Sequence, residues 1–251
     1  MVKYSVLLPT YNERENLPLI VYLLNRELTK CQVDFEILII DDNSPDGTLA
    51  VAQKLQTVFG PEKIRIESRP GKLGLGTAYI HGMRFATGDF IIILDADLSH
   101  HPEALPQFIG LQRAGNYDVV TGTRYMNGGG VWGWNMKRKL TSRVANYIAS
   151  ATLGQASTDM TGSYRLYKRA VLERILPSMV SKGYVFQMEI IMRAKALGYR
   201  IGEVPINFVD RVFGESKFKL SEITGYLRGV WMLFWTDMKK ASPLPTATKA
   251  Q

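Results

Sequence analysis

FIIILDAD, at residues 90–97, is an apolar run of strand length that ends in two aspartates. An unbroken apolar run is typical of a strand that is covered on both faces, as in a parallel sheet. Ionised carboxylates are costly to bury without a partner. The run therefore predicts a strand that delivers Asp95 and Asp97 to a cleft, where a divalent cation and an anionic ligand neutralise them.

The cation that suits these two aspartates is Mg²⁺ or Mn²⁺, because both prefer hard oxygen ligands. Such a cation takes one or two carboxylates and completes its shell with water and phosphate oxygens. An isolated D-x-D motif is weak evidence, since an aspartate that follows a strand also caps helices. Pro102, a few residues later, favours the start of a helix there.

Strands and helices alternate up to about residue 120. Strands are predicted over 3–8, 35–40, 64–67, 90–94 and 118–121, and helices over 16–30, 48–59, 76–86 and 103–113. This alternation predicts an α/β fold with a mostly parallel sheet and right-handed crossovers. Ligands of such sheets bind at the carboxyl ends of the strands.

Polar segments follow three of the predicted strands: PTYNE at 9–13, DDNSPDGT at 41–48 and DAD at 95–97. We expect them to form one acidic cleft, in which a carboxylate accepts from a ribose hydroxyl and Tyr11 stacks on a base. Asp46 is instead expected in a turn, and Thr48 at the N-cap of the next helix. No G-x-G-x-x-G follows the first strand, which excludes the usual dinucleotide and P-loop classes.

The net charge of +8 is unevenly distributed. Residues 124–158 contain no Asp or Glu but carry five cations, Arg124, Lys137, Arg138, Lys139 and Arg143. We expect this basic block to face an anion, with a solvated basic helix as the alternative. No helix-turn-helix, zinc or RNP pattern supports nucleic acid, so phosphate ligands or an anionic membrane surface are favoured.

Length and composition predict one domain over residues 1–238 and a disordered tail at 239–251. The only cysteine, Cys31, is expected to be a buried apolar residue. We expect neither a signal peptide nor a membrane span. Apolar residues at helical spacing in 219–238 predict an amphipathic helix that lies in a membrane interface, with packing on the domain as the alternative.

Taken together, eight blocks of the chain resemble family 2 glycosyltransferases of the GT-A fold, and within them the dolichyl-phosphate mannosyltransferase branch. The resemblance runs from about residue 3 to 236. The blocks, in order, are LPTYNERENLP at 8–18, IIDDNSPDGT at 39–48, GLGTAYIHG at 74–82, DADLSHHP at 95–102, GTRY at 122–125, TGSYRLY at 161–167, SKGYVFQMEI at 181–190 and VDRVFGESK at 209–217.

The resemblance implies that mannose is transferred from GDP-mannose to dolichyl phosphate, with inversion at the anomeric carbon. Asp97 is then the principal metal ligand, and Asp95 contacts the metal indirectly or contacts the nucleoside. Ser99 stands where some relatives carry a metal-ligating glutamine, so a bridging water is plausible there. The residues implied to contact the nucleotide sugar are Pro9, Tyr11, Glu13, Ile40, Asp42, Asp95, Ala96, Asp97, Arg124, Arg211 and Lys217.

For the acceptor, the resemblance implies a phosphate held by Arg124, Arg138 and Ser142, the last two on one face of a predicted helix. A phosphate monoester is already anionic near neutral pH, because its second pKa is about 6. The reaction then needs a cationic cradle but no carboxylate base. Arg211 and Lys217 are predicted in a mobile loop that neutralises the leaving diphosphate, with a surface ion pair of Arg211 and Asp210 as the alternative.

The resemblance also implies a setting and partners: the cytoplasmic face of the endoplasmic reticulum membrane and small membrane-tethering subunits, without nucleic acid. The product would be the lipid mannose donor for N-glycosylation, O-mannosylation and GPI-anchor synthesis. Two other functions stay open. One is a dolichyl-phosphate glucosyltransferase or another family 2 transferase that uses a UDP-sugar, and the other is a non-catalytic subunit that binds a nucleotide sugar.

Overall fold

The computed structural model describes residues 2–181, 183, 185–211 and 231. In these residues the strands are β1 Lys3–Thr10, β2 Asp34–Asp41, β3 Ile64–Ser68, β4 Phe90–Ile93, β5 Val119–Thr123, β6 Gly130–Trp132, β7 Arg165–Lys168, β8 Ile201–Pro205 and β9 Asn207–Val209. The helices are α1 Leu17–Lys30, α2 Thr48–Phe59, α3 Leu75–Met83, α4 Leu105–Gly115, α5 Met136–Leu153, α6 Arg169–Ile175 and α7 Val185–Ala196.

The main sheet has the strand order β3-β2-β1-β4-β7-β5-β8. Neighbouring strands are parallel except around β7, which is antiparallel to both β4 and β5. The predicted mostly parallel α/β sheet is confirmed. Because β7 runs in the opposite direction, its first residue, Arg165, pairs with Ile93 at the end of β4. The residues just before β7 therefore lie beside the aspartates that follow β4.

Apolar side chains cover both faces of the sheet. On β2, Ile37 and Ile39 belong to the core under α1, whereas Leu38 and Ile40 belong to the core on the opposite face. Residue i and residue i+2 of a strand share one face, so an unbroken apolar run supplies both cores. The predicted apolar stripe of α1 is confirmed, because its members are fully buried: Leu17, Ile20, Val21, Leu24 and Leu28.

Several element boundaries differ from the sequence prediction. The helix predicted over 76–86 ends at Met83, because the backbone N–H groups of Arg84 and Phe85 bond to the carbonyls three residues back, at His81 and Gly82, which tightens the last turn. Pro102 begins a single 3-10 turn, and α4 proper starts at Leu105. The strands β6 and β9, of three residues each, pair with one another outside the main sheet. Strands this short carry no alternation that a sequence pattern can register.

The predicted interface helix at 219–238 and the predicted tail at 239–251 lie outside the described residues, except for Trp231, which is exposed. In the part of the chain that the structure describes, no helix has the length and apolar character needed to cross a membrane. The domain boundary predicted at residue 238 stays a prediction.

Glu36 is a carboxylate inside the fold, with a side chain only 1% exposed. It accepts hydrogen bonds from the hydroxyl of Ser5 and the backbone N–H of Thr87, both at 2.6 Å, and pairs with Lys3 at 3.2 Å. Burial alone would raise the pKa of Glu36, but these hydrogen bonds outweigh it and hold the pKa below its usual range. The carboxylate therefore joins β1, β2 and the segment before β4.

We expect Glu36→Gln to lower the free energy of unfolding by about 1–3 kcal/mol at pH 7, since it leaves buried donors poorly matched. A lowered folded-state pKa stabilises the fold above the unfolded-state pKa, and this stability is lost as the pH falls through the folded-state value. The difference between the two proteins should therefore shrink below about pH 4.3. Urea unfolding between pH 7 and about pH 3 measures the difference, and a gap of constant size over that range would contradict the assignment.

Candidate functional site

The loops after β1 and β2 are bound to each other, as expected for neighbouring strand ends. Thr10 Oγ1 donates to Asp41 Oδ1 at 3.1 Å, and the backbone N–H of Asn12 donates to Ser44 Oγ at 3.0 Å. The backbone N–H of Glu13 donates to Thr48 Oγ1 at 3.0 Å. These contacts hold the two polar segments together at the carboxyl edge of the sheet.

Asp42 forms a buried ion pair with Arg69. The guanidinium donates through two nitrogens to the two carboxylate oxygens, at 2.6 and 2.7 Å. Arg69 also donates to Thr77 Oγ1 of α3 at 2.8 Å. Burial raises the pKa of Asp42, and the guanidinium opposes that rise. Sequence reasoning missed Arg69, although it directly follows β3 in the same way that the other polar residues follow their strands.

The remaining residues predicted around the nucleoside lie at the same edge. Tyr11 faces Lys72, whose ammonium is 5.1 Å from the ring centroid. Glu13 accepts from Asn16 Nδ2 at 2.7 Å. The side chain of Ile40 belongs to the core, so only its backbone can meet a ligand. Pro9 is half-buried in β1, and Ala96 is buried after β4.

Asp95 and Asp97 follow the end of β4 and have different partners. Asp95 accepts from Ser163 Oγ at 2.7 Å, and Asp97 pairs with Arg211 Nη2 at 3.0 Å. Burial raises the pKa of Asp95, and the neighbouring Asp97 carboxylate adds to the rise. Two crowded carboxylates of this kind fit a cation, because positive charge between them relieves both the burial and the repulsion.

Ser99 and His100 complete this side of the site. The backbone N–H of Ser99 donates to Asp97 Oδ1 at 3.1 Å. This bond orients the Asp97 carboxylate toward the backbone two residues further along the chain. His100 Nδ1 lies 3.5 Å from Asp95 Oδ2, and the ring packs edge-on against Tyr164 and Phe208. Burial lowers the pKa of His100. Among the described residues, no three His, Cys, Asp or Glu side chains are grouped to hold a metal by themselves.

Two cations of the basic block are neutralised by acids that lie outside it in sequence. Arg124, which follows β5, donates to both carboxylate oxygens of Asp159 at 2.6 and 2.8 Å. Arg138 Nη1 lies 3.2 Å from both oxygens of Asp210. Asp159 is fully buried, and although burial opposes it, Arg124 holds the pKa of Asp159 below its usual range. Sequence reasoning missed Asp159, which reaches Arg124 because β7 is antiparallel.

The three residues predicted for the acceptor phosphate are brought together around two aromatic rings. Ser142 Oγ and Tyr125 Oη are 2.6 Å apart. The guanidinium carbon of Arg138 is 4.2 Å from the ring centroid of Trp134, and that of Arg124 is 5.7 Å from it. Arg138 and Ser142 are one turn apart on α5, so the predicted helix is confirmed. A cavity of about 500 Å³ borders this group between Tyr125, Arg143, Tyr147 and Thr158.

The small sheet of β6 and β9 connects the two halves of the site. Phe208 of β9 contacts His100, which lies beside Asp95, with the Phe208 and His100 ring centroids 5.2 Å apart. Phe208 also contacts Trp134, with ring centroids 5.3 Å apart. Asp210 and Arg211 follow β9 directly and pair with Arg138 and Asp97. The alternative of an Asp210–Arg211 side-chain pair is wrong, since each side chain binds a different half of the site.

Gln187 and Glu189 lie on α7, in one of the blocks that carry the family resemblance. Glu189 is fully buried and accepts from the backbone N–H groups of Val180 and Ser181 and from Arg193. Its carboxylate is therefore engaged inside the protein. Gln187 is also buried, and its backbone carbonyl accepts from the buried guanidinium of Arg165.

The sheet order, the antiparallel β7 and the acidic strand ends together define a glycosyltransferase of the GT-A type. Comparison with known proteins specifies the family. The chain belongs to glycosyl transferase family 2, whose model matches residues 5–176.

Two curated relatives bear on the function of the chain. The chain is 40% identical over 222 residues to a polyprenol monophosphomannose synthase of Mycolicibacterium smegmatis, covering 87% of this chain and 82% of that protein. It is 35% identical over 234 residues to a dolichol-phosphate mannosyltransferase of Pyrococcus furiosus, covering 92% of this chain and 64% of that protein. The chain thus spans a little under two thirds of the Pyrococcus relative.

The fold also matches solved structures of glucosyl-3-phosphoglycerate synthase from Mycobacterium tuberculosis. One has a TM-score of 0.67 and 20% identity, covering 98% of this chain and 82% of that one. Another, in complex with Mn²⁺, UDP and phosphoglyceric acid, has a TM-score of 0.69 and 20% identity, covering 98% and 80%. At this identity the likeness establishes the fold alone.

Proposed function

We propose that the protein transfers mannose from GDP-mannose to a polyprenyl phosphate such as dolichyl phosphate, with inversion at the anomeric carbon. The observation that carries this proposal is that an acidic cluster and an arginine-rich cluster are linked through the ring of Phe208. The crowded carboxylates Asp95 and Asp97 lie beside His100, whose ring contacts Phe208. Phe208 also contacts Trp134, and the guanidinium of Arg138 lies over the Trp134 ring. The names of the two curated relatives support both the sugar and the lipid acceptor.

On the donor side, we propose that Asp97 holds Mg²⁺ or Mn²⁺, with Asp95 beside it and Ser99 acting through a water. When bound, the cation withdraws charge from the diphosphate oxygens of the leaving GDP. Arg211, at 3.0 Å from Asp97, supplies positive charge to the same place and is suited to neutralise the diphosphate as it departs. Lys217, proposed for the same role, lies outside the described residues.

On the acceptor side, Arg124, Arg138 and Ser142 would bind the phosphate and point one oxygen at the anomeric carbon for in-line attack. The phosphate arrives ionised, because its second pKa is about 6. No side chain has to remove a proton from the acceptor. This leaves every carboxylate of the site available for the donor, the metal or an arginine.

The reaction is tested with pure protein, Mg²⁺ and a short polyprenyl phosphate, incubated with GDP-mannose and, separately, with UDP-glucose. Mannosyl lipid formed from GDP-mannose supports the proposal. Product from UDP-glucose alone would replace it with a dolichyl-phosphate glucosyltransferase. Binding of GDP-mannose without any product would indicate the non-catalytic subunit.

We expect Arg138→Ala to raise the KM for polyprenyl phosphate by about tenfold or more, because a charged hydrogen bond contributes roughly 1.5–3 kcal/mol. The affinity for GDP should stay unchanged, since Arg138 lies over Trp134 and pairs with Asp210, and neither of these residues is proposed to contact GDP. Lys54→Ala, at an exposed position of α2 that has no proposed role, serves as the matched control. Equal losses of GDP affinity and acceptor use would refute the role assigned to Arg138.

We also propose that the protein works at the cytoplasmic face of the endoplasmic reticulum membrane, held by small tethering subunits. Besides the family resemblance, support comes from α5, where apolar side chains spaced three or four residues apart are exposed, among them Met136 at 79% and Leu140 at 64%. Lys137, Lys139 and Arg143 lie on the same helix. An apolar stripe with adjoining cations is suited to an anionic lipid surface.

Leu140→Glu should weaken binding to vesicles that contain anionic lipid by about tenfold, because it places a carboxylate in the exposed stripe of α5. Val58→Glu, on α2 and 75% exposed, should bind like the unchanged protein. Sedimentation with vesicles measures both. Equal binding of the two variants to vesicles would contradict the proposal that α5 contacts the membrane surface.

A further inference from the structure

Trp134 carries a polar group that the site as described does not use. Its Nε1 atom is buried and has no hydrogen-bond partner among the described residues. An indole N–H can only donate, and a buried donor without an acceptor is uncommon because it loses its bonds to water. Among the described residues, this N–H therefore has no acceptor.

The neighbours of Trp134 do not provide that acceptor. The guanidinium of Arg138 lies over the ring at 4.2 Å, and that of Arg124 is 5.7 Å from the ring centroid. Guanidinium groups are donors only. The third neighbour, Phe208, presents an apolar ring. The acids that pair with these arginines, Asp159 and Asp210, are bound to Arg124 and Arg138.

The ligand that matches these donors around Trp134 is an anion with several acceptor oxygens. Two guanidinium groups, one indole N–H and the Tyr125–Ser142 hydroxyl pair can together supply donors in different directions. A phosphate monoester has three terminal oxygens and matches such a set better than a carboxylate, which has two. The contact with the indole ring also orients the Arg138 guanidinium, so that its N–H groups can reach the phosphate.

We propose that Trp134 is a further binding residue for the acceptor phosphate, donating its Nε1–H to a phosphate oxygen while its ring orients Arg138. This inference rests on the proposed function, because it needs a phosphate monoester as the acceptor. The Trp134 side chain then has two separable roles. Its Nε1–H binds the phosphate, and its ring orients Arg138.

Trp134→Phe keeps an aromatic ring under Arg138 and removes the N–H. We expect the KM for polyprenyl phosphate to rise about tenfold, with the GDP-mannose affinity and the unfolding temperature unchanged. Trp134→Leu also loses the cation–π contact and should raise this KM by about a further twofold to fivefold. Trp132→Phe, at a side chain that is 66% exposed two residues away, should behave like the unchanged protein.

A second readout reports the contact directly. The chain has four tryptophans, and the indole N–H signal that disappears in Trp134→Phe identifies Trp134 in an NMR spectrum. Adding a short polyprenyl phosphate without donor should move that signal downfield, as expected for a new hydrogen bond to an anion. A signal that does not move, or a Trp134→Phe protein with unchanged KM, overturns the inference while mannosyl transfer by the unchanged protein continues. Absence of transfer by the unchanged protein would instead overturn the proposed function.

Discussion

Asp97→Asn should lower the rate of mannosyl transfer by at least a hundredfold. Asp97 is 8% exposed, and its carboxylate accepts from the backbone of Ser99 and pairs with Arg211. An amide has no negative charge, so it binds Mg²⁺ or Mn²⁺ far more weakly, and Arg211 loses its partner. Stabilisation of a leaving diphosphate by a cation contributes several kcal/mol, and each 1.36 kcal/mol corresponds to about tenfold in rate.

The measurement is the initial rate with GDP-mannose and a short polyprenyl phosphate across a titration of Mg²⁺. Asp34→Asn is the matched control, because Asp34 is exposed at the opposite end of β2 from the site. EDTA should abolish activity in the unchanged protein, and added Mg²⁺ or Mn²⁺ should restore it. Full activity of the Asp97→Asn protein at low Mg²⁺ would contradict the metal-dependent mechanism.

Asp159→Ala should destabilise the fold by about 3–5 kcal/mol, the usual effect of removing one partner from a buried ion pair. Asp159 is fully buried and accepts from the side chain of Arg124 and from the backbone N–H groups of Thr161 and Gly162. Without it, a buried guanidinium stays charged and the turn before β7 loses its hydrogen bonds. Urea unfolding at pH 7 measures the change.

Two further variants separate the ion pair from a general effect of truncation. Glu173→Ala breaks an exposed pair with Arg169 whose atoms are 3.6 Å apart, and should change stability by less than about 1 kcal/mol. The double variant Arg124→Ala with Asp159→Ala should be more stable than the sum of the single changes predicts, because it leaves no unpaired charge. Strict additivity would show that Arg124 and Asp159 do not stabilise each other.

The polar residues at the carboxyl ends of β1, β2 and β4 could be predicted to lie together because parallel strands bring these ends to one edge. Tyr11, Asp42 and Asp95 follow three different strands, and the alternation of strands and helices was enough to place them together. The boundaries of α1 and α2 were also close, since their apolar spacing is regular. These features depend on local periodicity, which a single sequence displays directly.

The partners of those residues could not be predicted in the same way. Asp159 lies 35 residues from Arg124, and Asp210 lies 72 residues from Arg138. No spacing rule links such pairs, because their contact depends on the direction of β7 and on the small sheet of β6 and β9. The basic block therefore looked uncompensated in sequence although two of its arginines are paired.

By itself, the sequence determined the α/β class, the central strand that ends at Asp95 and Asp97, and the gathering of acidic residues at one sheet edge. These follow from apolar periodicity and from the geometry of parallel strands. Only the tertiary structure decided that Asp97 faces Arg211, that Arg124 is bound to Asp159, and that Trp134 lies beside Arg124 and Arg138. Such contacts arise when an antiparallel strand and distant loops pack against the sheet, and no short-range pattern in the FIIILDAD run or elsewhere encodes them.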